Sequence, residues 1–402
     1  MPVTIKSVSL QPLSYPCCSR KLYPMEYTEI FIPVPEHLQK ANAAKAAERM
    51  GNSMKFGVRG FEWEWLHGFK VALVGLRKSG APNSFAALRE ELYALFVPAK
   101  PVAVIDLGDV EVDAATAAAE KISYVLQRVA AEGVFPIVFS ENMCNAEGVY
   151  DAVKAQHKGV AATFVLPHAG LGSAQEPLSN DNFLAHLMSD YGRELRTLNV
   201  VGYQSYLTAP SDVKALEGQY CELVRLGAVR DNMQCAEPLL RDADLLCAAV
   251  SAVRRCDAPA AVDASPNGLH AEEMCRLLRY AAFSDKLKTC YLGSFNLAND
   301  VQRQTAKLVA QLIWHLAEGF AYRVGEAPTK SRMCRKLQVQ VGRGQHILFY
   351  QSKVTDRWWL SVPIDGTPRE AAIPCLREDY EKAAHGEIPD RWLWHYKKLS
   401  GR

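Results

Sequence analysis

The chain has 402 residues, of which 49% are hydrophobic, and this is enough for one large core or two smaller ones. Its 46 basic and 44 acidic residues leave a formal net charge of +2, which gives no indication of binding to nucleic acid or to an anionic membrane. No apolar stretch approaches the ~20 residues of a membrane-spanning helix, and the first residues do not have the pattern of a signal peptide. We therefore expect a soluble, cytoplasmic protein.

The cysteines support the same expectation. There are eleven of them at irregular spacings, and no two form a C-x-x-C pair, which argues against a zinc cluster. Their odd number and the apolar surroundings of Cys247 and Cys290 favour reduced thiols, as in the cytoplasm.

Residues 1–67 are interrupted by prolines, and only a short helix over 42–49 is predicted there. From residue 68 onwards, buried strands alternate with amphipathic helices, and this alternation predicts a doubly wound, mostly parallel sheet between helices. Ser84 is the expected N-cap of the first of these helices. The predicted strands cover 70–75, 102–108, 135–139, 161–166, 198–203, 228–230, 245–250 and 289–294. The predicted helices cover 84–96, 113–132, 145–156, 180–190, 213–226, 268–283 and 300–322.

The pattern changes near residue 325. Segments 337–341, 346–350 and 357–363 predict an antiparallel meander of two or three strands. This end of the chain also holds four of the seven tryptophans: Trp358, Trp359, Trp392 and Trp394. Such rings suit a partner interface, but the favoured interpretation is that they seal the extension onto the main domain. We divide the chain into an irregular segment 1–67, a main domain 68–324 and a β-rich extension 325–402.

Several segments of the main domain resemble the ureohydrolases, the family of arginase, agmatinase and formimidoylglutamase. Ile105–Gly108 is similar to the family's "DLG" turn, and Ser265–Glu273 resembles its "PGGLTxRE" segment. Asn83–Tyr93 resembles the family's early loop and helix, and Phe295–Asp300 resembles its "VNPxxD" segment. The order of these segments implies the three-layer α/β/α arginase-like fold.

The resemblance is greatest to a bacterial formimidoylglutamase-like subgroup that has a C-terminal extension with "DRWW"-type runs. The corresponding runs here are Asp356–Trp359 and Pro389–Trp392. The family commonly forms trimers or hexamers, so the resemblance implies a homo-oligomer.

The family's chemistry implies two Mn²⁺ ions that activate a bridging hydroxide for attack on an amidine carbon. In the family, the metal ligands come from a "GGDHS" histidine, a "DAHxD" trio and two aspartates of "SxDxDxxDP". On this chain these positions fall on Met143, Leu166, His168, Gly170, Ala249 and Ser251. Only His168 keeps a ligand side chain, and the resemblance therefore implies that both manganese ions have been lost.

Three residues are candidates for a vestigial pocket: Cys144, Glu273 and His168. Glu273 aligns with the family's substrate-binding glutamate, and His168 with its metal-binding histidine. For both, a structural role is favoured: a histidine bonded to the backbone, and a glutamate at the start of a helix, where the helix dipole favours it.

Three functional hypotheses follow. The first is a metal-free pseudoenzyme that acts as a scaffold, an assembly subunit or a ligand binder, with the tryptophan-rich extension as a possible contact for a protein partner. The second is an active formimidoylglutamase- or arginase-type amidine hydrolase whose ligands are displaced; the nearest spare donors are Asp257, Asp263, His270 and Glu272. An apolar filling at the ligand positions would decide for the first hypothesis, and an open polar pocket would leave the choice open.

The third hypothesis is a cysteine-dependent hydrolase. Cys144 would be the nucleophile and His168 its base, because a Cys–His pair is a known nucleophilic arrangement. Glu141 and Asn142 would orient the substrate. This hypothesis requires the Cys144 sulfur to lie within hydrogen-bond reach of His168.

Overall fold

The computed structural model of the chain describes residues 30–41, 46–80, 85–113, 115–328, 332–342 and 344–400. The predicted N-cap Ser84 and residues 42–45 of the first predicted helix lie outside these ranges. Residues 46–49 are not helical, so that prediction is wrong for the described part. Arg49 is instead extended and pairs with Phe96 in an isolated β-bridge, a tertiary contact that overrides the local helix preference.

The main sheet has ten strands, and all their described pairings are parallel except that of the first strand. The strands are β1 (Phe31–Ile32), β2 (Lys55–Phe56), β3 (Val71–Lys78), β4 (Val104–Val112), β5 (Phe135–Ser140), β6 (Val160–Val165), β7 (Leu195–Tyr203), β8 (Glu222–Arg225), β9 (Leu245–Ala249) and β10 (Thr289–Gly293). Their order is β1-β4-β3-β5-β10-β9-β6-β7-β8, with β2 beside β4.

Helices cover both faces of this sheet. Up to residue 321 they are α1 (Glu36–Lys40), α2 (Met50–Ser53), α3 (Ala86–Ala94), α4 (Ala115–Ala131), α5 (Ala146–Lys154), α6 (Phe183–Met188), α7 (Pro210–Gly218), α8 (Leu226–Asp231), α9 (Glu237–Arg241), α10 (Ala271–Ala282) and α11 (Gln304–Ala321). Neighbouring residues of one strand pack on opposite faces of the sheet: Leu73 packs with α3, α10 and α11, whereas Val74 packs with α4 and α5. Burial on both faces explains why these strands are continuous apolar runs. The predicted three-layer α/β/α architecture is therefore confirmed.

Besides the first predicted helix, three predicted elements differ clearly from the structure. The helix predicted over 213–226 ends at Gly218, and an unpredicted edge strand, β8, follows it. The strand predicted over 228–230 is part of helix α8. The helix predicted from residue 300 begins at Gln304, because Gln302 and Arg303 have φ angles of 53° and 57°, which no right-handed helix accommodates.

The C-terminal extension forms a separate four-stranded antiparallel sheet, in which neighbouring strands follow one another along the chain. Its strands are β11 (Cys334–Val341), β12 (Gln345–Ser352), β13 (Trp358–Pro363) and β14 (Glu370–Cys375), followed by helices α12 (Arg377–Ala384) and α13 (Asp390–Leu399). The meander is thus one strand longer than predicted, and the two helices were missed. Trp358 and Trp392 are buried in a small core of this unit.

The extension docks at the amino ends of strands β8 and β9. Arg391 Nη1 lies 2.7 Å from Glu222 Oε2, at the first residue of β8. The guanidinium of Arg241, just before β9, lies 4.4 Å from the ring centroid of Trp359. Trp394 meets the ring of Tyr220 edge-on. Two of the four C-terminal tryptophans, Trp359 and Trp394, therefore contact the main domain as predicted, whereas Trp358 and Trp392 pack inside the extension.

Candidate functional site at the carboxyl ends of the central strands

The positions that align with the family's metal ligands lie along one edge of the sheet. Leu166 and His168 follow the end of β6, Met143 follows β5, and Ala249 ends β9. Strands β5, β10, β9 and β6 are adjacent and parallel, so their carboxyl ends meet at the same edge. In open α/β sheets this edge is where ligands usually bind. The aligned positions therefore lie at the edge where sheets of this kind usually bind ligands.

The space above the end of β10 is filled by side chains. An ideal Cβ on Gly293 would lie 2.6 Å from Met143 Sδ and 3.0 Å from Tyr291 Cε1. The Tyr291 hydroxyl donates a hydrogen bond to the backbone carbonyl of Asn142. A side chain at position 293 would force the thioether or the ring to move, because these groups already occupy the volume.

These side chains belong to the core on the face of the sheet that α4 and α5 cover. Met143 and Leu166 are each 3% exposed, Ala249 is 1% exposed and Tyr291 is fully buried, and all four belong to one hydrophobic cluster. Ser251 is also buried, in a short turn after β9. Three of the six positions aligned with the family's metal ligands thus carry apolar, desolvated side chains, and charge would be costly there.

His168 is half-buried in the loop after β6. Its Nδ1 accepts a hydrogen bond of 3.3 Å from the backbone N–H of Gly170, two residues further on. Across the described ranges, no group of three or more His, Cys, Asp or Glu side chains could hold a metal ion. His168 is therefore a single imidazole that hydrogen-bonds to the backbone of its own loop.

Glu273 is the third residue of α10. Its Oε2 accepts a hydrogen bond of 2.7 Å from the backbone N–H of His270, the residue that precedes the helix. Its Oε1 lies 3.7 Å from Arg230 Nε. The contact with His270 is the backbone half of a capping box, in which a carboxylate satisfies a free N–H at a helix start.

Three of the four spare donors named for displaced metal ligands lie at the start of α10: Asp257, His270 and Glu272. Asp257 Oδ2 accepts hydrogen bonds from Arg254 Nε at 2.8 Å and from the backbone N–H of Ala271 at 3.0 Å. Burial raises the pKa of Asp257, but these hydrogen bonds outweigh it and the net pKa is lowered. His270 Nε2 lies 3.3 Å from Arg254 Nη1. Both side chains therefore contact the same arginine rather than a shared metal position.

Cys144 lies in the turn between β5 and α5. The backbone N–H groups of Met143 and Cys144 both donate to Asn180 Oδ1, at 2.8 Å and 3.1 Å. Burial raises the pKa of the Cys144 thiol, which disfavours the thiolate. No hydrogen bond joins Cys144 to His168 within the part of the chain that the structure describes. The side chains of Cys144 and Glu141 instead line a cleft of about 260 Å³.

Sequence reasoning missed the residues that hold this edge together. Tyr291, Gly293 and Asn180 carry no motif, and the first two lie inside a strand that reads only as buried. A further missed feature is a buried ion cluster between α3 and β4: Arg89 Nε lies 2.9 Å from Asp106 Oδ2, and Arg89 Nη2 lies 2.8 Å from Asp109 Oδ1. The "DLG" turn that begins at Asp106 was the only signal for it.

Solved structures share this fold. A Trypanosoma cruzi formiminoglutamase in complex with Mn²⁺ matches at a TM-score of 0.57 and 18% identity, over 64% of this chain and 95% of its own. Arginase from Bacillus subtilis matches at a TM-score of 0.52 and 14% identity, over 62% and 98%. The agmatine ureohydrolase of Thermoplasma volcanium matches at 0.52 and 15% identity, over 70% and 98%. No protein-family profile and no curated protein sequence matches the chain.

These neighbours define the class of fold. The chain has the α/β fold of the arginase, or ureohydrolase, superfamily, with an additional antiparallel sheet at its C-terminal end. The neighbours are matched over almost their whole length, whereas a substantial part of this chain has no counterpart in them. Among the helices within the described ranges, none is long and apolar enough to cross a membrane.

Proposed function

We propose that this protein is a metal-free pseudoenzyme of the ureohydrolase superfamily that acts as a scaffold, an assembly subunit or a ligand binder. The observation that carries this proposal is the apolar filling by Met143, Leu166, Ala249 and Tyr291 at the edge where the family would bind metal. Two Mn²⁺ ions need several carboxylate and imidazole donors around them. His168 is the one donor that remains at these positions, and it bonds to its own loop.

Metal analysis tests the proposal. The full chain is incubated with excess MnCl₂, desalted and measured by inductively coupled plasma mass spectrometry. We expect well below one Mn²⁺ per chain, and the same content in His168→Ala as in the unaltered protein. About two Mn²⁺ per chain, the complement of a dimetal hydrolase, would overturn the proposal.

An activity assay separates the remaining hypotheses. Release of urea, ammonia or formamide is measured with a panel of guanidino and formimino substrates, with and without Mn²⁺. We expect no release above the protein-free control. Manganese-dependent release would support displaced ligands, whereas release that is independent of metal and lost in Cys144→Ser would support the cysteine hypothesis.

We further propose that residues 325–402 form an added unit with a role separate from the candidate site, and that the chain forms a homo-oligomer in the cytoplasm. Support for the first point is the docking of the extension at the amino ends of the strands, opposite the candidate site. The described cysteines are free thiols, in keeping with a reducing compartment. Light scattering coupled to size-exclusion chromatography tests the assembly state, and a monomer at micromolar concentration would refute that part.

A further inference from the structure

A cleft of about 580 Å³ lies where the extension meets the amino ends of β9 and β10. Lys286 and Lys288 of the main domain line one side, and Trp359 and Pro374 of the extension line the other. The volume is within the range of small-molecule sites, which often lie between two packed units. We call it the junction cleft. It lies at the opposite edge of the sheet from the candidate site described above.

Four acidic side chains line the junction cleft. The exposed pair, Asp285 and Glu370, accept hydrogen bonds from the Glu326 N–H and the Ser361 hydroxyl, and the two less exposed carboxylates are paired with cations. Asp242 Oδ1 accepts a hydrogen bond of 2.7 Å from Lys286 Nζ. Glu326 is buried; its Oε1 lies 2.9 Å from Arg357 Nη1, and its Oε2 accepts a hydrogen bond from the Thr355 hydroxyl. These carboxylates therefore have little capacity left to bind a cationic ligand.

Two basic side chains keep a donor without an acceptor, although the Nε of one of them, Arg241, also pairs with Glu237 Oε1 at 2.9 Å. Arg241 is 4% exposed, and its Nη2 donates to Glu237 Oε2 at 3.0 Å and to the Cys375 carbonyl at 3.2 Å. Its Nη1 has no hydrogen-bond partner although it is buried. Lys288 is half-buried, and its Nζ forms no hydrogen bond or ion pair with any residue in the described ranges. A buried donor without an acceptor is unfavourable, and a carboxylate is the acceptor that both groups bind best.

The apolar side of the junction cleft suits a flat ligand body. The Trp359 ring lies against the Arg241 guanidinium at 4.4 Å from its centroid, and both line the cleft together with Ala372 and Pro374. From this arrangement we infer that the junction cleft binds a small aromatic carboxylic acid. Its carboxylate contacts Lys288 and Arg241, and its ring packs against Trp359 and Pro374.

Equilibrium binding to the full chain tests this inference. The probes are benzoate, phenylacetate and indole-3-acetate, each compared with its neutral amide by isothermal titration calorimetry or ligand-observed NMR. We expect each acid that binds to do so at least about tenfold more tightly than its amide, since only the acid forms charge-assisted hydrogen bonds. The inference does not depend on metal content, so it stands or fails separately from the proposed function.

Variants locate the site. Lys288→Met is expected to weaken acid binding about tenfold and to leave amide binding unchanged, whereas Lys397→Met, an exposed cation on α13, changes neither. Ala372→Trp fills the cleft and is expected to abolish binding of acids and amides, with near-ultraviolet circular dichroism as a check that the protein is folded. Equal affinities for acid and amide, unchanged binding in Lys288→Met, or no binding of any acid at millimolar concentration would overturn the inference.

Discussion

Substituting Gly293 by alanine tests the packing that fills the candidate site. The added Cβ would lie 2.6 Å from Met143 Sδ, against the 3.4 Å at which ordinary contact begins, and 3.2 Å from the backbone oxygen of Asn142. The sulfur has to move within a side chain that is only 3% exposed. Overpacking of this kind costs about 1–3 kcal/mol, and we expect the free energy of unfolding of Gly293→Ala to fall by that amount.

A double mutant identifies the clash. Met143→Ala alone removes a buried side chain and is expected to cost about 2–5 kcal/mol. In Gly293→Ala/Met143→Ala the new methyl group enters the space left by the thioether. The double mutant is therefore expected to be more stable than the sum of the single effects by about 1 kcal/mol or more, a coupling that is usual for side chains in contact.

The assay is urea unfolding followed by far-ultraviolet circular dichroism. Gly227→Ala on α8 is the matched control, because its Cβ meets nothing within 4 Å. That control is expected to stabilise the protein by up to about 1 kcal/mol, the usual gain of alanine over glycine in a helix. A neutral Gly293→Ala, or single effects that simply add, would show that the edge of the sheet has room and would reopen the case for a ligand there.

Three further predictions concern other parts of the molecule. Arg89→Met is expected to cost about 3–5 kcal/mol in urea unfolding, because it leaves two buried aspartates unpaired. Burial raises the pKa of Glu222, but contacts with Arg391 and His395 outweigh it and lower the pKa to about 2. The contribution of Glu222 to stability is therefore complete above its pKa in the unfolded chain, near 4.5, and is lost as pH falls towards 2. In the native protein, mass spectrometry after brief treatment with iodoacetamide is expected to show slower alkylation of half-buried Cys144, whose thiol pKa is raised by burial, than of exposed Cys256.

Each of these predictions has its own control. Arg303→Met removes an exposed ion pair with Glu90 and is expected to change stability by less than about 1 kcal/mol; a similar loss in both arginine variants would contradict the buried cluster. Glu222→Gln should flatten the acid side of the stability profile, and an unchanged profile would contradict the assignment. Cys144 that reacts as fast as Cys256 would mean that its thiol is accessible and activated.

The fold was predictable because the central strands are buried on both faces. Continuous apolar runs such as 71–76 and 290–293 give an unambiguous signal, and the parallel order then follows from the helices between them. Strand β8 gave no such signal, since its four residues lie at the sheet edge and are only partly buried. Helix α12 was missed because it is polar and has a single buried residue, Ala383.

The candidate site was predictable in position but not in content. Alignment of the ligand motifs placed Met143, Leu166 and Ala249 at strand ends, and the parallel sheet brought these ends to one edge. Sequence alone could not show what occupies the space between them. That depends on the register of β10, which sets Tyr291 beside Val138 of β5 and Cys247 of β9. A register between distant segments is a property of the assembled sheet.

The extension also contacts the edge strand β8 of the main sheet. Strand β8 is the last strand of the ten, and its outer backbone groups form the kind of open edge that recruits strands from other molecules. Helix α13 lies against the beginning of this edge: Arg391 binds Glu222, and Lys398 donates to the Tyr220 carbonyl at 3.3 Å. The extension therefore covers the start of this edge, and a chain cut after residue 324 is expected to have that part of the edge uncovered.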